Sequence, residues 1–311
     1  MREPALIRML PDGRHLHLHD GPIDLIVQAN GPKQNVAAAY EAAARRFVTI
    51  LDELCSELPL LRSQARRNSV RPRGAIAHRM FAAVEPYAEQ CFITSMAAVA
   101  GAVAEEVLAS MTAAASLDRA YVNNGGDIAV HLTTGQGYRV GMVERPDRPS
   151  LFGALELSSA DAVRGIATSG WRGRSFSLGI ADAVAILAET AAAADAAATI
   201  IANAVNLPDH PGITRVPARE ISPDSDLGDL LITRGVGPLS RSEIALALES
   251  GAQAAQSLRQ ENLIHSAALS VQGQVRVVAP ENSLCRGGLL RPSAAALSLP
   301  FEFVGGSTTH A

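Results

Sequence analysis

Residues 165–205 read GIATSGWRGRSFSLGIADAVAILAETAAAADAAATIIANAV. The run changes character twice. Ala167-Thr168-Ser169-Gly170 leads into a Gly- and Ser-rich stretch, 171–179, which predicts a loop. Ala181–Leu187 is apolar and of strand length, and periodicity alone does not separate a strand from a helical turn there. Thr190–Val205 predicts a helix built almost wholly of small residues, with Asp195 as its only charged residue. Asp195 and Thr199 are four apart and share one face of that helix, which Asn203 extends by a turn. A carboxylate and a hydroxyl on one stripe suit a hard cation such as Mg²⁺, which takes one or two carboxylates plus phosphate oxygens. The plain alternative is an exposed Asp and a Thr bonded back to the preceding turn.

Working outward, Asn123-Asn124-Gly125-Gly126-Asp127 follows a strand-like Tyr121-Val122. Consecutive glycines permit positive φ and close approach of the backbone to a ligand. A tight turn with local Asx hydrogen bonds explains the same residues. Ile128–Leu132, Tyr138–Val143 and Ala154–Leu157 predict strands, and 159–165 a short helix. Residues 88–115 predict a long helix whose segment 96–104 is small enough to let another backbone approach. Further out, residues 5–29 read as a hairpin or short meander, with turns at Pro11-Asp12-Gly13 and Asp20-Gly21-Pro22. A helix capped by Asn35 runs to about Leu58, and 62–73 is an arginine-rich surface loop. His15, His17 and His19 alternate on one side of a strand, a spacing that suits Zn²⁺ or Ni²⁺ but more often marks a solvent face. Residues 206–226 predict an extended connection, 241–258 a helix and 266–279 a strand pair. One domain over 1–280 and a weakly structured tail over 281–311 are expected, and no internal repeat is visible.

Composition narrows the chemistry. With 48% hydrophobic and 19% charged residues over 311 positions, the chain reads as globular. A net charge of −4 argues against a nucleic-acid partner. Lys33 is the only lysine, so no P-loop exists. Cys55, Cys91 and Cys285 are far apart, which fits neither a disulfide framework nor a thiolate zinc site. No run reads as a membrane span or signal peptide, so a cytoplasmic protein without a membrane partner is expected. The loop after Gly170 carries Arg172 and Arg174, whose guanidinium forks suit phosphate oxygens. Small-residue helices suit close pairing, within one subunit or across a homo-oligomer interface.

Asn123–Asp127, Ala167–Gly170 and Ala194–Thr199, in that order, resemble the ApbE-like superfamily of Mg²⁺-dependent FAD:protein FMN transferases. The likeness is closer to its UPF0280 branch, in which Thr168-Ser169-Gly170, the Ser-Phe-Ser-Leu-Gly run at 175–179, Ala181–Val184 and Ala194–Thr199 form one signature. It spans roughly residues 5–280. The resemblance implies an α+β, T-fold-like architecture: an antiparallel sheet backed by long helices. It implies Asp195 and Thr199 as Mg²⁺ ligands, and Asn123, Asn124, Gly125, Gly126, Thr168, Ser169 and Gly170 as the lining of a nucleotide site for FAD or FMN. Where the transferases carry His-Ile-Ile-Asp-Pro, this chain has Phe176–Asp182, keeping the Asp but neither His nor Pro. Where they carry Lys-Gly in the small-residue helix, it has Ala100-Gly101.

Three functions follow as expectations. The first is a flavin or nucleotide transferase or phosphoester hydrolase, with Asp182 and Asp127 as candidate bases and Arg172 or Arg174 opposing developing charge. The second is a metal-independent site for a pterin or purine, anchored by Glu105, Glu106 or Glu144. The third is a non-catalytic flavin-binding carrier, which the missing His favours.

Overall fold

The computed structural model describes residues 4–143 and 151–280. The chain runs β1 (Leu6–Met9), β2 (His15–Asp20), β3 (Ile23–Asn30), α1 (Lys33–Ser56), α2 (Leu58–Leu61), α3 (Ala75–Val84), α4 (Val99–Ala114), β4 (Arg119–Asn124) and β5 (Asp127–Leu132). It continues through β6 (Gly137–Val143), β7 (Leu151–Ser158), β8 (Gly165–Ser169), β9 (Ala183–Ala188), α5 (Ala191–Ala204), β10 (Ile213–Pro217) and α6 (Ala218–Ile221). The last elements are β11 (Leu231–Val236), α7 (Arg241–Gln260), β12 (Ser266–Val271) and β13 (Gln274–Val278).

Nine strands form one sheet in the order β1-β2-β3-β4-β5-β8-β9-β12-β13, every pairing antiparallel. Helices cover one face and the β6–β7 hairpin covers the middle of the other. β9 records both layers in its sequence. Val184, Ile186 and Ala188 face the helices, Ala185 and Leu187 face the hairpin, and all are buried. An uninterrupted apolar run is what a strand covered on both sides requires, and the run predicted over Ala181–Leu187 is a strand from Ala183 onward. Phe47, Ile50, Met80, Met111 and Ile201 fill the helical side, each worth about 1.5–3 kcal/mol of burial. The expected α+β class, an antiparallel sheet backed by long helices, is what the chain adopts.

A repeat that the sequence conceals is plain in the topology. β2-β3-α1-α4-β4-β5 and β8-β9-α5-α7-β12-β13 follow one plan, and the two halves of the sheet join at β5 and β8. Short insertions separate the helices of each half: α2 and α3 in the first, β10, α6 and β11 in the second.

Local boundaries depart from expectation for identifiable reasons. The predicted helix over 88–115 begins only at Val99, because the Thr94 side chain caps a 3-10 turn at Ser95–Ala98 and 88–94 are not α-helical. Asn35 does not cap α1; the helix starts after Pro32, and the Asn35 amide donates to the Ser116 carbonyl. The predicted short helix at 159–165 is a turn leading into β8. Within 206–226 the chain forms β10 and α6. Ser95–Ala114 is long and apolar enough to cross a membrane, with mean hydropathy 1.3, yet it packs against α1, α3, α5, β4 and β5. The expected tail, 281–311, lies outside the described residues.

Candidate functional site

The site forms at the seam between the two halves. β5 and β8 pair only through Ile128↔Ile166 and Ala129↔Gly165. Beyond Ile128 a side chain replaces the ladder: Asp127 Oδ1 accepts the Thr168 amide at 3.2 Å. Asp127 closes the β4–β5 hairpin, whose turn residues Gly125 and Gly126 have φ of 67° and 117°, a region nearly closed to residues with a Cβ. Asn123 Oδ1 accepts the Gly126 amide at 2.8 Å, and Asn124 Nδ2 donates to the Ala100 carbonyl at 3.2 Å. The turn is thus fixed locally and tied to the first turn of α4.

That helix end also receives Asp195. Its Oδ2 accepts the Gly101 amide at 3.0 Å, one of the first-turn amides that no helix satisfies internally. Gly101 is required here. A Cβ on it would lie 2.3 Å from the Ala191 carbonyl oxygen, because the start of α5 crosses α4 at this point. Glu105, one turn further along α4, returns the contact: its Oε1 accepts the Ala192 amide at 2.7 Å.

Asp127 and Asp195 lie deep in the protein while keeping part of their surface open to solvent. Burial pushes Asp127 up to about 7, against the pull of the Thr168 amide and the Arg174 guanidinium. Burial pushes Asp195 well above the carboxylate range, the Asp127 charge adds to the rise, and the Gly101 and Ala100 amides oppose it. The two carboxylates are close enough for the Asp127 charge to raise the proton affinity of Asp195.

Thr199, Thr168 and Ser169 make no side-chain hydrogen bond among the described residues. Thr199 differs in this from Ser110, Thr112, Ser250 and Ser257, which bond back to the preceding turn of their helices. Arg174 lies over the turn, with Nη1 3.4 Å from where a Gly125 Cβ would stand and Nη2 donating to the Pro22 carbonyl at 2.8 Å.

A family model described as "AbpE bacteria" matches residues 7–277. The chain belongs to that family. A UPF0280 protein of Methanopyrus kandleri is 31% identical over 235 residues, 73% of this chain and 91% of that protein. A UPF0280 protein of Methanothrix thermoacetophila is 39% identical over 111 residues, 35% of this chain and 45% of that protein. Among solved structures, the apo flavinyl transferase ApbE of Pseudomonas stutzeri aligns at 11% identity and a TM-score of 0.45, over 89% of this chain and 94% of its own. The ApbE protein of Thermotoga maritima aligns at 12% identity and 0.44, over 90% and 98%.

In this AbpE-family chain the expected site residues separate into two groups. Asn123–Asp127, Thr168, Asp195 and Arg174 converge on the seam. Asp182 and Arg172 do not join them. Asp182 Oδ1 accepts from Arg172 Nε at 2.7 Å and Trp171 Nε1 at 3.2 Å, and its Oδ2 accepts the Gln272 amide at 2.6 Å. The Arg172 guanidinium stacks 4.1 Å above the Trp171 ring. Gly170 is required for packing, since a Cβ there would lie 2.5 Å from the Asp182 carbonyl oxygen. Asn203 leaves the Asp195 stripe to accept the Leu178 amide at 2.8 Å.

Glu105 and Glu106, candidate anchors for a heterocycle, are engaged inside the fold. Glu105 pairs with Arg79, and Glu106 with Arg79 and Arg46, at 2.8–3.0 Å. Glu144 lies outside the described residues. His15 bridges Asp12 and the Tyr121 hydroxyl, and His17 pairs with Asp24 at 2.6 Å. Among the described residues no group of three His, Cys, Asp or Glu side chains is arranged to hold a metal.

Sequence reasoning missed Gly101 and Glu105 as parts of the Asp195 environment. A glycine inside an otherwise alanine-rich helix is a propensity outlier and was the available signal for Gly101.

Proposed function

We propose that this chain binds a flavin or another nucleotide phosphate together with a divalent cation of the Mg²⁺ kind, and acts on the phosphoester as a transferase or hydrolase. The observation that carries the reading is the meeting of two carboxylates at the seam: Asp127 accepts the Thr168 amide, Asp195 accepts the Gly101 amide next to the Ala100 carbonyl that Asn124 of the same turn binds, and the Asp127 charge reaches Asp195. Hard oxygen donors fit Mg²⁺: the two carboxylates, with Thr199 on the Asp195 stripe and its hydroxyl unpartnered. When bound, the cation would neutralise phosphate charge. The chain's own residues would do the rest. The Gly125-Gly126 turn lets a ligand approach the backbone, Arg174 opposes phosphate charge, and Asp127 exchanges a proton near neutral pH in the cation-free protein. Asp182 is assigned no part in proton transfer, because all three of its partners are donors that fix it in place.

Thermal stability measured with FAD, FMN or ADP, each with and without Mg²⁺, tests the proposal. A shift larger with nucleotide and Mg²⁺ together than the two separate shifts combined is expected, and Asp195→Asn should abolish it. Stabilisation by pterins regardless of Mg²⁺ would replace this reading with the heterocycle site. Synergy with no turnover of the bound nucleotide would reduce it to a carrier.

A further inference from the structure

The arginine-rich loop between α2 and α3 takes no part in the seam. It holds Arg62, Arg66, Arg67, Arg71 and Arg73. Its main chain is firmly tied. The Ala65 amide donates to the Ile93 carbonyl at 2.8 Å, and Ser69 and Arg66 close a turn between them. Two nearby carboxylates accept main-chain amides and make no ion pair with the loop's guanidinium groups among the described residues. Glu57 takes those of Arg73 and Gly74 at 2.8 and 2.7 Å, and Glu89 takes that of Arg67 at 3.0 Å.

The guanidinium groups are left over. Of the five, only Arg71 has an acid partner among the described residues, Glu85 at 2.5 Å. Arg66 reaches only the Gln64 side-chain oxygen at 3.3 Å. Arg62, Arg67 and Arg73 make no side-chain hydrogen bond or ion pair among the described residues. Four arginines without an ion pair among the described residues, on a main chain held by these bonds, place positive charge on the surface of a chain of net charge −4. Apolar groups stand within it. Val70 is 75% exposed, the highest value among the large hydrophobic residues described, and Phe92, beside Ile93, is exposed as well. A surface depression of about 290 Å³ at the foot of the loop is lined by Arg67, Ala82, Glu85, Pro86, Glu89 and Gln90.

We propose that this loop is a docking surface for an acidic peptide segment of a partner protein, with carboxylates on the guanidinium forks and apolar side chains against Val70 and the depression. Guanidinium forks match carboxylates in a bidentate manner. A nucleic acid or an anionic bilayer would bring dense phosphate against Glu85 and Glu89 and leave Val70 unused. A peptide separates its acidic and apolar side chains and meets neither obstacle. The surface does not depend on the nucleotide reading. It stands or falls on its own.

The test is fluorescence anisotropy on the full chain, with a fluorescein-labelled peptide alternating glutamate and leucine. Its glutamine-for-glutamate counterpart, single-stranded RNA and phosphatidylserine vesicles serve as competitors. Binding that weakens as salt rises is expected. The triple variant Arg66→Glu, Arg67→Glu, Arg73→Glu should bind about tenfold more weakly or worse, and Val70→Ser should weaken binding without changing its salt dependence. Should the triple variant fold poorly, Arg67→Glu alone carries the comparison, since that side chain has no bonding partner to lose. Equal affinity for the glutamine peptide, equal affinity of wild type and variant, or tighter binding of RNA or vesicles would each overturn the proposal.

Discussion

Asp195 and Glu105 each close the N-terminus of the helix that carries the other. Asp195, on α5, accepts the Gly101 amide of α4, and Glu105, on α4, accepts the Ala192 amide of α5. Each carboxylate sits one turn inside its own helix, so the two helix starts cross as a near-symmetric pair. Negative charge at a helix N-terminus is favourable, by about 0.3–1 kcal/mol at the surface and more when partly buried. The Gly101 amide pulls Asp195 toward its charged form, against the burial and the Asp127 charge that push its proton affinity up.

Gly101→Ala tests the crossing. Alanine improves helix propensity by about 0.8–1.0 kcal/mol. Against this, the new Cβ would fall 2.3 Å from Ala191 O and 2.7 Å from Ala192 N, main-chain atoms that cannot swing aside. Overlap wins. We expect a net loss of about 2–3 kcal/mol in urea denaturation, and unchanged or improved stability would show that the helices do not meet as described.

Glu105 separates a hydrogen-bonding role from a charge role. Glu105→Ala strips the Ala192 amide of its acceptor and leaves Arg79 with Glu106 alone. The expected cost is about 2–3 kcal/mol. Glu105→Gln keeps an acceptor for Ala192 and should cost about half as much. Equal losses in the two variants would assign the whole effect to charge.

The seam pair makes stability depend on pH in an unusual direction. Asp127 is held at about 7 in the folded chain against 3.8 for the free group. Between those values the unfolded chain has released a proton that the folded chain retains, so the Asp127 contribution falls as pH rises through the window and is flat above it, and Asp195, also raised, adds to the decline. Asp12, held down to about 2 chiefly by the Arg14 amide, acts lower and with opposite sign. Its contribution is present above the unfolded value and is lost as pH drops below about 4. Urea midpoints at roughly pH 4.5, 6 and 8 should decline for the cation-free wild type and much less for Asp127→Asn. Parallel profiles would remove Asp127 from the site.

What could be read from the sequence was whatever local rules dictate. The double-glycine turn, the α5 helix and the β2–β3 and β12–β13 hairpins follow from turn residues and periodicity. Contacts between distant segments were not legible. Asp195 meets Gly101 across 94 positions, and Asp182 meets Gln272 across 90. From the chain alone Asp182 is a conspicuous acid beside a glycine-rich loop. Only the fold reveals that both of its oxygens already accept hydrogen bonds, three in all. The start of α4 was misread for a related reason: the small residues before Val99 continue the helical composition, and Thr94 sets the boundary through a cap that composition does not reveal.

Asp182 and Asp195 should therefore fail in opposite ways. Asp182→Ala leaves Arg172 Nε, Trp171 Nε1 and the Gln272 amide without their acceptor. Removing one member of a buried, charged network costs about 3–5 kcal/mol. Arg172 is partly exposed, which moves the expectation toward the lower end. The fold should weaken strongly, while any Mg²⁺-dependent nucleotide shift in the remaining folded protein persists. Asp195→Asn keeps an oxygen for the Gly101 amide and removes a charge that burial and Asp127 both disfavour. It should cost little stability, or add some, and should abolish the Mg²⁺ response. Denaturation and Mg²⁺ titration of both variants read the two effects separately. Loss of the Mg²⁺ response in Asp182→Ala at full stability would return Asp182 to the chemistry and remove the distinction drawn between the two acids.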